Sequence, residues 1–198
     1  MLASKEKRIE IDGKGGWQQG VGLVKVKVVR GTNLAVRDVF RSDPYVVLKL
    51  GNQEVRTRTV RKNTNPVWNE DLTLTVEDLN HLVVTLEVYD SDTFVDDQMG
   101  VAFFELRPLV EAAAEAASRL RPHAAVENKD GGAVVLRTMA PSSGNCLAAR
   151  SSVVLSASAG KAVQSLVLRL GGVERGEVEL QLEWHGTATA THARAPRS

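Results

Sequence analysis

One segment decides the fold of this chain: Ser42-Asp43-Pro44-Tyr45-Val46-Val47-Leu48-Lys49-Leu50-Gly51-Asn52. Residues 45–50 show partial alternation of apolar and polar side chains and are rich in β-branched residues. They therefore predict a strand at 45–50 that ends at the Gly51-Asn52 turn. Runs of the same kind predict seven more strands, at 23–29, 54–60, 71–76, 83–89, 101–106, 163–170 and 177–184. The chain is therefore expected to be all-β.

The pattern changes between the sixth and seventh predicted strands. Pro108 suits the first turn of a helix, and apolar residues recur at helical spacing until Pro122 stops the helix. These residues are Leu109, Val110, Ala113, Ala117 and Leu120. Two β-like runs follow, at 133–137 and 151–155. Eight strands with short turns, interrupted by one helical insertion, indicate an eight-stranded antiparallel β-sandwich whose loops gather at its two ends.

Two short loops of the predicted sandwich are acidic. The first is Arg37-Asp38-Val39-Phe40-Arg41-Ser42-Asp43, and the second is Asp90-Ser91-Asp92-Thr93-Phe94-Val95-Asp96-Asp97. If folding brings the loops together, the carboxylates repel one another until a hard cation binds, and Ca²⁺, which takes about six to eight oxygen ligands, is the natural candidate. The candidate ligands are the side chains of Asp38, Asp43, Asp90, Asp92 and Asp97 and the backbone carbonyls of Arg37 and Ser91. Asp96 competes with Asp97 for its position, and the alternative for the whole set is a pair of solvated turns, which aspartate also favours.

The tips of the same loops are apolar. Val39 and Phe40 in the first loop and Phe94 and Val95 in the second are candidate membrane anchors, and each buried side chain is worth about 1 to 3 kcal/mol. The alternative is that one or both aromatic rings fold back over the core.

A second candidate surface is basic. Lys49 on one strand and Arg56 and Arg58 on the next are predicted to share one face, with Arg61 and Lys62 at the strand end. Such a groove suits phosphorylated lipid headgroups. The alternative is a solvated strand face that Glu54 and Glu70 balance.

Composition narrows the function classes. The formal net charge of this 198-residue chain is +1, so neither nucleic acid nor membrane is attracted by the total charge, and no nucleic-acid partner is expected. The single cysteine, Cys146, fits a reducing compartment. No signal peptide or membrane-spanning run is recognised, so membrane contact is expected to be peripheral. Residues 1–16 are predicted to form a disordered arm and residues 185–198 a disordered tail.

No enzymatic motif is found. The chain has no Gly-x-Ser-x-Gly sequence, and its four histidines show no metal-ligand spacing. The protein is therefore not expected to be an enzyme.

Several segments together resemble the C2 domain: Gly22-Leu23-Val24-Lys25-Val26, Ser42-Asp43-Pro44-Tyr45-Val46, Asn63-Thr64-Asn65-Pro66-Val67-Trp68-Asn69-Glu70, and the Asp90-Ser91-Asp92 loop that ends at Met99-Gly100. Three further segments are similar to the plant C2-domain abscisic-acid-related (CAR) family: Asn145-Cys146-Leu147-Ala148, 163–170 and 176–184. The resemblance implies a C2 domain at 17–184 with the family's signature insertion at 107–160, between the sixth and seventh strands. It also implies that Tyr45 and Trp68 line the basic groove.

The resemblance carries expectations about function. It implies a calcium-dependent adaptor that binds anionic phospholipid and recruits abscisic acid receptors of the PYR/PYL type to the plasma membrane. Its expected locations are the plasma membrane, as a peripheral protein, the cytoplasm and the nucleus. The alternative is a GTPase-activating or protein-interaction factor of the same family whose lipid binding does not need calcium. In neither case does the chain carry a catalytic site of its own.

Overall fold

The computed structural model describes residues 22–37, 42–92, 95–119, 134–156 and 161–186. They form two antiparallel sheets around one hydrophobic core, together with one helix. The strands are β1 (Gly22–Thr32), β2 (Pro44–Leu50), β3 (Gln53–Arg56), β4 (Val67–Val76), β5 (Val83–Asp90), β6 (Asp97–Glu105), β7 (Val134–Met139), β8 (Ser151–Leu155), β9 (Ala162–Arg169) and β10 (Glu177–Gly186), and the helix α1 spans Arg107–Arg119.

The larger sheet has six strands in the order β4-β1-β10-β9-β8-β7, and the smaller has four in the order β3-β2-β5-β6. This confirms the antiparallel sandwich and the helix between the sixth and seventh strands. The eight predicted strands are present, and the two β-like runs of the insertion are full strands, β7 and β8, which extend the larger sheet. The described residues thus contain ten strands.

Alternating burial shows why these segments pair. In β1, Val24, Val26 and Val28 are fully buried while the residues between them are partly exposed, and β10 alternates in the same way. A strand with one apolar face gains stability when that face meets the opposite sheet. The inner faces of both sheets therefore form one continuous core.

The helix covers one end of this core. Leu109, Ala112 and Ala116 are buried, and α1 packs against β8 and β9. Ala117, which the sequence pattern placed on the apolar face, is exposed, because the buried stripe follows positions i, i+3 and i+7 from Leu109. Leu120 and the predicted end at Pro122 lie outside the described residues.

The third strand is shorter than predicted. It ends at Arg56, because the next residue, Thr57, is buried and its hydroxyl accepts the backbone N–H of Val46 at 3.0 Å. The chain nevertheless stays beside β2, since the N–H of Val60 donates to the carbonyl of Pro44 at 3.0 Å. At the other end of the chain, β10 continues through His185 and Gly186, two residues into the predicted tail. The rest of that tail and the predicted arm at 1–16 lie outside the described residues.

Candidate functional site

Sheet register brings the two acidic loops together. β2 and β5 are neighbours, with Pro44 opposite Asp90, and β5 and β6 are neighbours, with Asp90 opposite Asp97. Asp43 therefore lies at the start of β2, beside the end of β5. Three of the predicted ligands, Asp43, Asp90 and Asp97, lie side by side at one end of the smaller sheet.

Asp90 is at the centre of this group. It is fully buried, and its Oδ1 accepts the backbone N–H of Asp43 at 2.5 Å. Its other oxygen, Oδ2, is also buried and has no hydrogen-bond partner within the described part of the chain. A buried polar atom without a partner is costly, so an unpaired carboxylate oxygen here indicates that a binding partner belongs at this position.

Asp43 is held in place by the neighbouring loops. Its carbonyl accepts the N–H of Ser91 at 3.0 Å, and its Oδ1 accepts the N–H of Lys62 at 2.7 Å. The bond from Ser91 fixes the first acidic loop to the second, and the bond from Lys62 attaches it to the turn at 61–62. Ser91 thus enters the site through its backbone, although the bond shown uses its amide and not the carbonyl that was predicted as a ligand.

Asp96 has a different role from Asp97. Its Oδ2 accepts the hydroxyl of Tyr45 at 2.6 Å, and its Oδ1 accepts the N–H of Asp92 at 2.9 Å. The Tyr45 hydrogen bond and then the Asp92 amide lower the pKa of Asp96. Both oxygens of Asp96 are thus engaged, whereas Asp97 is exposed and lies opposite Asp90 in the sheet.

Tyr45 joins the acidic loop to the outer face of the smaller sheet. Its ring stacks on Tyr89 with a centroid separation of 5.7 Å, and the guanidinium of Arg56 lies 5.7 Å from its centroid. Burial, followed by the bond to Asp96, raises the pKa of Tyr45 to about 12, so its hydroxyl remains a donor at physiological pH. Nothing in the local sequence indicates this link, since Tyr45 and Asp96 are 51 positions apart.

The side chain of Arg37 supports the site from the flank. Its Nε donates to the carbonyl of Gln98 at 3.1 Å, and its backbone N–H donates to the hydroxyl of Ser42 at 3.0 Å. Arg37 also pairs with Glu174, at 3.5 Å. Arg37 therefore attaches the first acidic loop to β6, the strand that follows the second acidic loop.

The donor set fits a hard cation in its chemistry, with carboxylate oxygens from three strand ends and one buried oxygen unpaired. In the ranges given above, no three acidic, histidine or cysteine side chains are grouped closely enough to hold an ion together. Four predicted site residues, Asp38, Val39, Phe40 and Phe94, lie outside the described residues. Of the four predicted anchors, Val95 is described, and it is 75% exposed.

Two charges of the predicted basic face, Lys49 and Arg58, are paired with carboxylates. Lys49 lies 2.7 Å from Glu87 and 3.8 Å from Glu54, and the hydrogen bond to Glu87 raises the pKa of Lys49. Arg58 lies past the end of β3, where it pairs with Glu70 at 3.5 Å and donates to the carbonyl of Val67. It therefore does not continue the face of Lys49. Lys49 and Arg58 thus fit the alternative of a charge-balanced strand face, whereas Arg56 lies over the ring of Tyr45.

Trp68 requires a correction. It was predicted to line the groove, but it is fully buried, and its indole N–H donates to the carbonyl of Pro44 at 3.3 Å. Trp68 therefore supports the start of β2 from inside the core and is not available to a ligand on the surface.

Within the described residues, no helix is both long enough and apolar enough to cross a bilayer.

Comparisons with known proteins agree with this architecture. The C2 domain family model matches residues 22–120. Among curated proteins, GTPase activating protein 1 of Oryza sativa subsp. indica is 49% identical over 164 residues, which cover 83% of this chain and 92% of the relative. Protein C2-DOMAIN ABA-RELATED 4 of Arabidopsis thaliana is 50% identical over 165 residues, which cover 83% and 86%.

Solved structures show the same fold. A C2 domain of plant Extended Synaptotagmin 1 is 22% identical, with a TM-score of 0.52, and the match covers 86% of this chain and 98% of that one. The calcium-bound pair of C2 domains of Extended Synaptotagmin 2 gives a TM-score of 0.53 at 19% identity, and the match covers 82% of this chain but 45% of that one. With two sheets of C2 type and close relatives over most of its length, the chain belongs to the C2 domain family and, within it, to the plant C2-DOMAIN ABA-RELATED proteins.

Proposed function

We propose that this protein is a calcium-dependent adaptor that docks on anionic phospholipid through its acidic loops. The observation that carries the proposal is the buried, unpaired Oδ2 of Asp90 between those loops. Relatives that are named for abscisic acid support a role in abscisic acid signalling. We further propose that the adaptor recruits PYR/PYL receptors to the plasma membrane and is also present in the cytoplasm and nucleus.

The acidic end of the sandwich supports the calcium step. Asp43, Asp90, Asp92 and Asp97 would supply carboxylate oxygens, with Asp38 and backbone carbonyls of Arg37 and Ser91 as further ligands. A bound calcium ion supplies positive charge and open coordination positions that lipid phosphate oxygens can fill. Because the loops are strongly acidic without it, the protein is repelled by an anionic surface until the ion neutralises them.

The apolar loop tips support the membrane step. Val95 is 75% exposed next to the acidic group, Phe94 precedes it in the sequence, and Val39 and Phe40 are the apolar pair of the first acidic loop. Insertion of one such side chain into the interfacial region contributes about 1 to 3 kcal/mol. The paired charges of Lys49 and Arg58 leave the strand face a smaller part in lipid binding than the loops.

Vesicle co-sedimentation tests the proposal. Vesicles that contain phosphatidylserine should pellet the wild-type protein in calcium and lose it in a chelator. Asp90→Asn keeps the shape of the side chain and an oxygen that can accept the Asp43 amide, so it should fold but lose calcium-dependent pelleting. Asp71→Asn makes the same charge change on β4, where Asp71 pairs with Lys25, and should pellet like the wild type.

A second measurement separates ion binding from lipid binding. Calcium alone should raise the melting temperature of the wild type and of Asp71→Asn but not of Asp90→Asn, since a ligand stabilises only the state that binds it. Vesicle binding that persists equally in the chelator and in Asp90→Asn would overturn the calcium step.

The rice relative is named GTPase activating protein 1, and this name favours a second candidate function, activation of a GTPase. Activators often supply an arginine to the transition state in trans, and Arg150 and Arg175 are both exposed. Single-turnover GTP hydrolysis by a small plant GTPase, with and without this protein, tests the idea. If stimulation survives in both Arg150→Ala and Arg175→Ala, these arginines have no part in it; if the wild type gives no stimulation, this candidate is rejected.

A further inference from the structure

A second concave site lies on a different part of the molecule, between β6, β9 and the loop that joins β7 to β8. It is a cleft of about 480 Å³, open to solvent on one side. Its walls are mostly apolar and include Val83, Phe103, Met139, Leu147 and Leu166. Clefts of about 300 to 1,000 Å³ are typical of sites that bind small organic molecules.

The cleft is preformed by backbone bonds from the joining loop. The N–H of Ala148 donates to the carbonyl of Val167 at 2.7 Å, and the N–H of Arg169 donates to the carbonyl of Cys146 at 2.7 Å. On the opposite wall, the N–H of Phe103 donates to the Sγ of Cys146 at 3.4 Å. The loop is thus attached to both sheets, and the space between them stays open because no described side chain fills it.

One polar side chain in the wall has an unused atom. Gln164 is 2% exposed, and its Nε2 donates to the hydroxyl of Ser151 at 3.1 Å. Its Oε1 is buried and has no partner in the described part of the chain. Most buried side-chain oxygens are paired, so an unpaired amide oxygen on a residue that lines the cleft indicates a ligand that can donate a hydrogen bond.

The charge of the cleft restricts the ligand further. Among the described residues that line the cleft, one is charged, the exposed Glu105, and none is a lysine or an arginine. An exposed carboxylate in the lining disfavours anions, including phosphorylated headgroups. The apolar walls disfavour strongly hydrated ligands.

We propose that this cleft binds a small, neutral, largely apolar ring compound that donates one N–H or O–H to the Oε1 of Gln164. The proposal is independent of the calcium site, since the two regions share no residue. It assigns a ligand-binding role to the signature insertion, which supplies Met139, Cys146 and Leu147 to the wall.

Two matched probes test the proposal. N-phenyl-1-naphthylamine is neutral, apolar and fluorescent in apolar surroundings, and it has one N–H; 1-benzylnaphthalene has the same shape with CH₂ in place of N–H. Titration should show saturable binding of the amine, and competition should show that the hydrocarbon binds roughly three- to tenfold more weakly, the worth of one net hydrogen bond. Equal affinity of the two probes for the wild type would overturn the assignment of Gln164.

Variants locate the binding. Gln164→Met keeps the length of the side chain and removes its oxygen, so the preference for the amine should disappear. Gln181→Met is the control, because Gln181 is exposed on the neighbouring strand and does not line the cleft. A preference that persists in Gln164→Met, or that is lost in Gln181→Met, would contradict the proposal.

The single cysteine gives a readout that needs no substitution at Gln164. Cys146 lines the cleft, so monobromobimane labelling of the wild type should slow roughly tenfold when the amine is present at ten times its dissociation constant. Unchanged labelling at saturation would place the probe elsewhere and reject the cleft as its site.

Discussion

Removal of a single oxygen, in Tyr45→Phe, tests how the acidic loop is attached to the sheet. The Tyr45 hydroxyl donates to Asp96 at 2.6 Å, and Asp96 in turn accepts the N–H of Asp92. Phenylalanine keeps the ring, and therefore the stacking on Tyr89 and the contact with Arg56. The substitution thus isolates one hydrogen bond that joins β2 to the second acidic loop.

The magnitude follows from the burial of the two partners. A hydrogen bond to a charged group is worth about 1.5 to 3 kcal/mol when it is sheltered from water. Tyr45 is 8% exposed, but Asp96 is exposed, and solvent screening reduces the value. We expect Tyr45→Phe to lower the free energy of unfolding by about 1 kcal/mol at pH 7, which at an m-value of about 2 kcal/mol/M shifts the urea midpoint by about 0.5 M.

The difference should depend on pH with a definite sign. The hydrogen bond lowers the pKa of Asp96 below its ordinary value of 3.8 in the folded state. A group with a lowered folded pKa contributes stability that is fully present well above its unfolded pKa and is lost as the pH falls through its folded pKa. The gap between wild type and Tyr45→Phe should therefore be constant from pH 7 to about pH 5 and should shrink below pH 3.8.

Urea titration followed by tryptophan fluorescence, at several pH values, measures both quantities. Tyr89→Phe is the matched control, because the Tyr89 hydroxyl donates to Glu87 on its own strand at 3.0 Å and does not reach the loop. Tyr45→Phe, but not Tyr89→Phe, should also weaken calcium-dependent vesicle binding. A Tyr45→Phe protein with wild-type stability at pH 7, or a gap that does not shrink in acid, would refute the reasoning.

Three further substitutions, one of them with a matched control, test the packing of the sandwich through the free energy of unfolding in urea. Trp68→Phe removes a fully buried indole and its hydrogen bond and should cost about 2 kcal/mol, and a cost below about 0.5 kcal/mol would contradict its place in the core. Gly100→Ala should lower the free energy of unfolding by about 2 kcal/mol or more, because the φ of Gly100 is 124° and an added Cβ would lie 2.8 Å from Leu170. Its control, Gly51→Ala, should lower it by about 1 kcal/mol, because Gly51 has a φ of 57° but open space around it. Equal losses in the two variants would show that the clash at Gly100 is relieved. Arg137→Met breaks two ion pairs to α1, at 2.6 and 2.5 Å. It should lower the free energy of unfolding by about 1 kcal/mol in low salt and by less in 1 M salt, because salt screens ion pairs. A loss that does not depend on salt would mean that the packing of the Arg137 side chain dominates.

Much of the architecture could be predicted from local pattern. Alternation of apolar and polar residues repeats every two positions in a strand, so each strand is visible in its own sequence, as in Val178, Leu180, Leu182 and Trp184. The helix is also visible in its own sequence, through apolar residues three to four positions apart, although its buried stripe falls on Leu109, Ala112 and Ala116. The errors fall where the structure depends on a distant partner. Arg58 lies outside β3 because the strand ends at Arg56, where the hydroxyl of Thr57 accepts the N–H of Val46 on β2. Trp68 is buried under the start of β2, and its indole N–H donates to the carbonyl of Pro44.

The candidate site shows the same division. The residue types and their order marked the acidic loops before any fold was known, because carboxylates at this density need either water or a cation. Only the register of β2, β5 and β6 decided that Asp43, Asp90 and Asp97 share one end of the smaller sheet, and only the fold brings Asp96 to the hydroxyl of Tyr45. The cleft beside Gln164 likewise exists because the insertion loop bonds to β9 and to β6.

The sequence by itself determined where the strands lie along the chain, which positions alternate toward the core in strands such as β10, and which loops are acidic, because these properties depend on residues a few positions apart. The tertiary structure alone decided which carboxylate loses its water, which cations are already paired and where an unfilled space remains. Burial and pairing depend on groups that are tens of residues apart in the chain, and their free energies exist only after the two sheets have closed on each other.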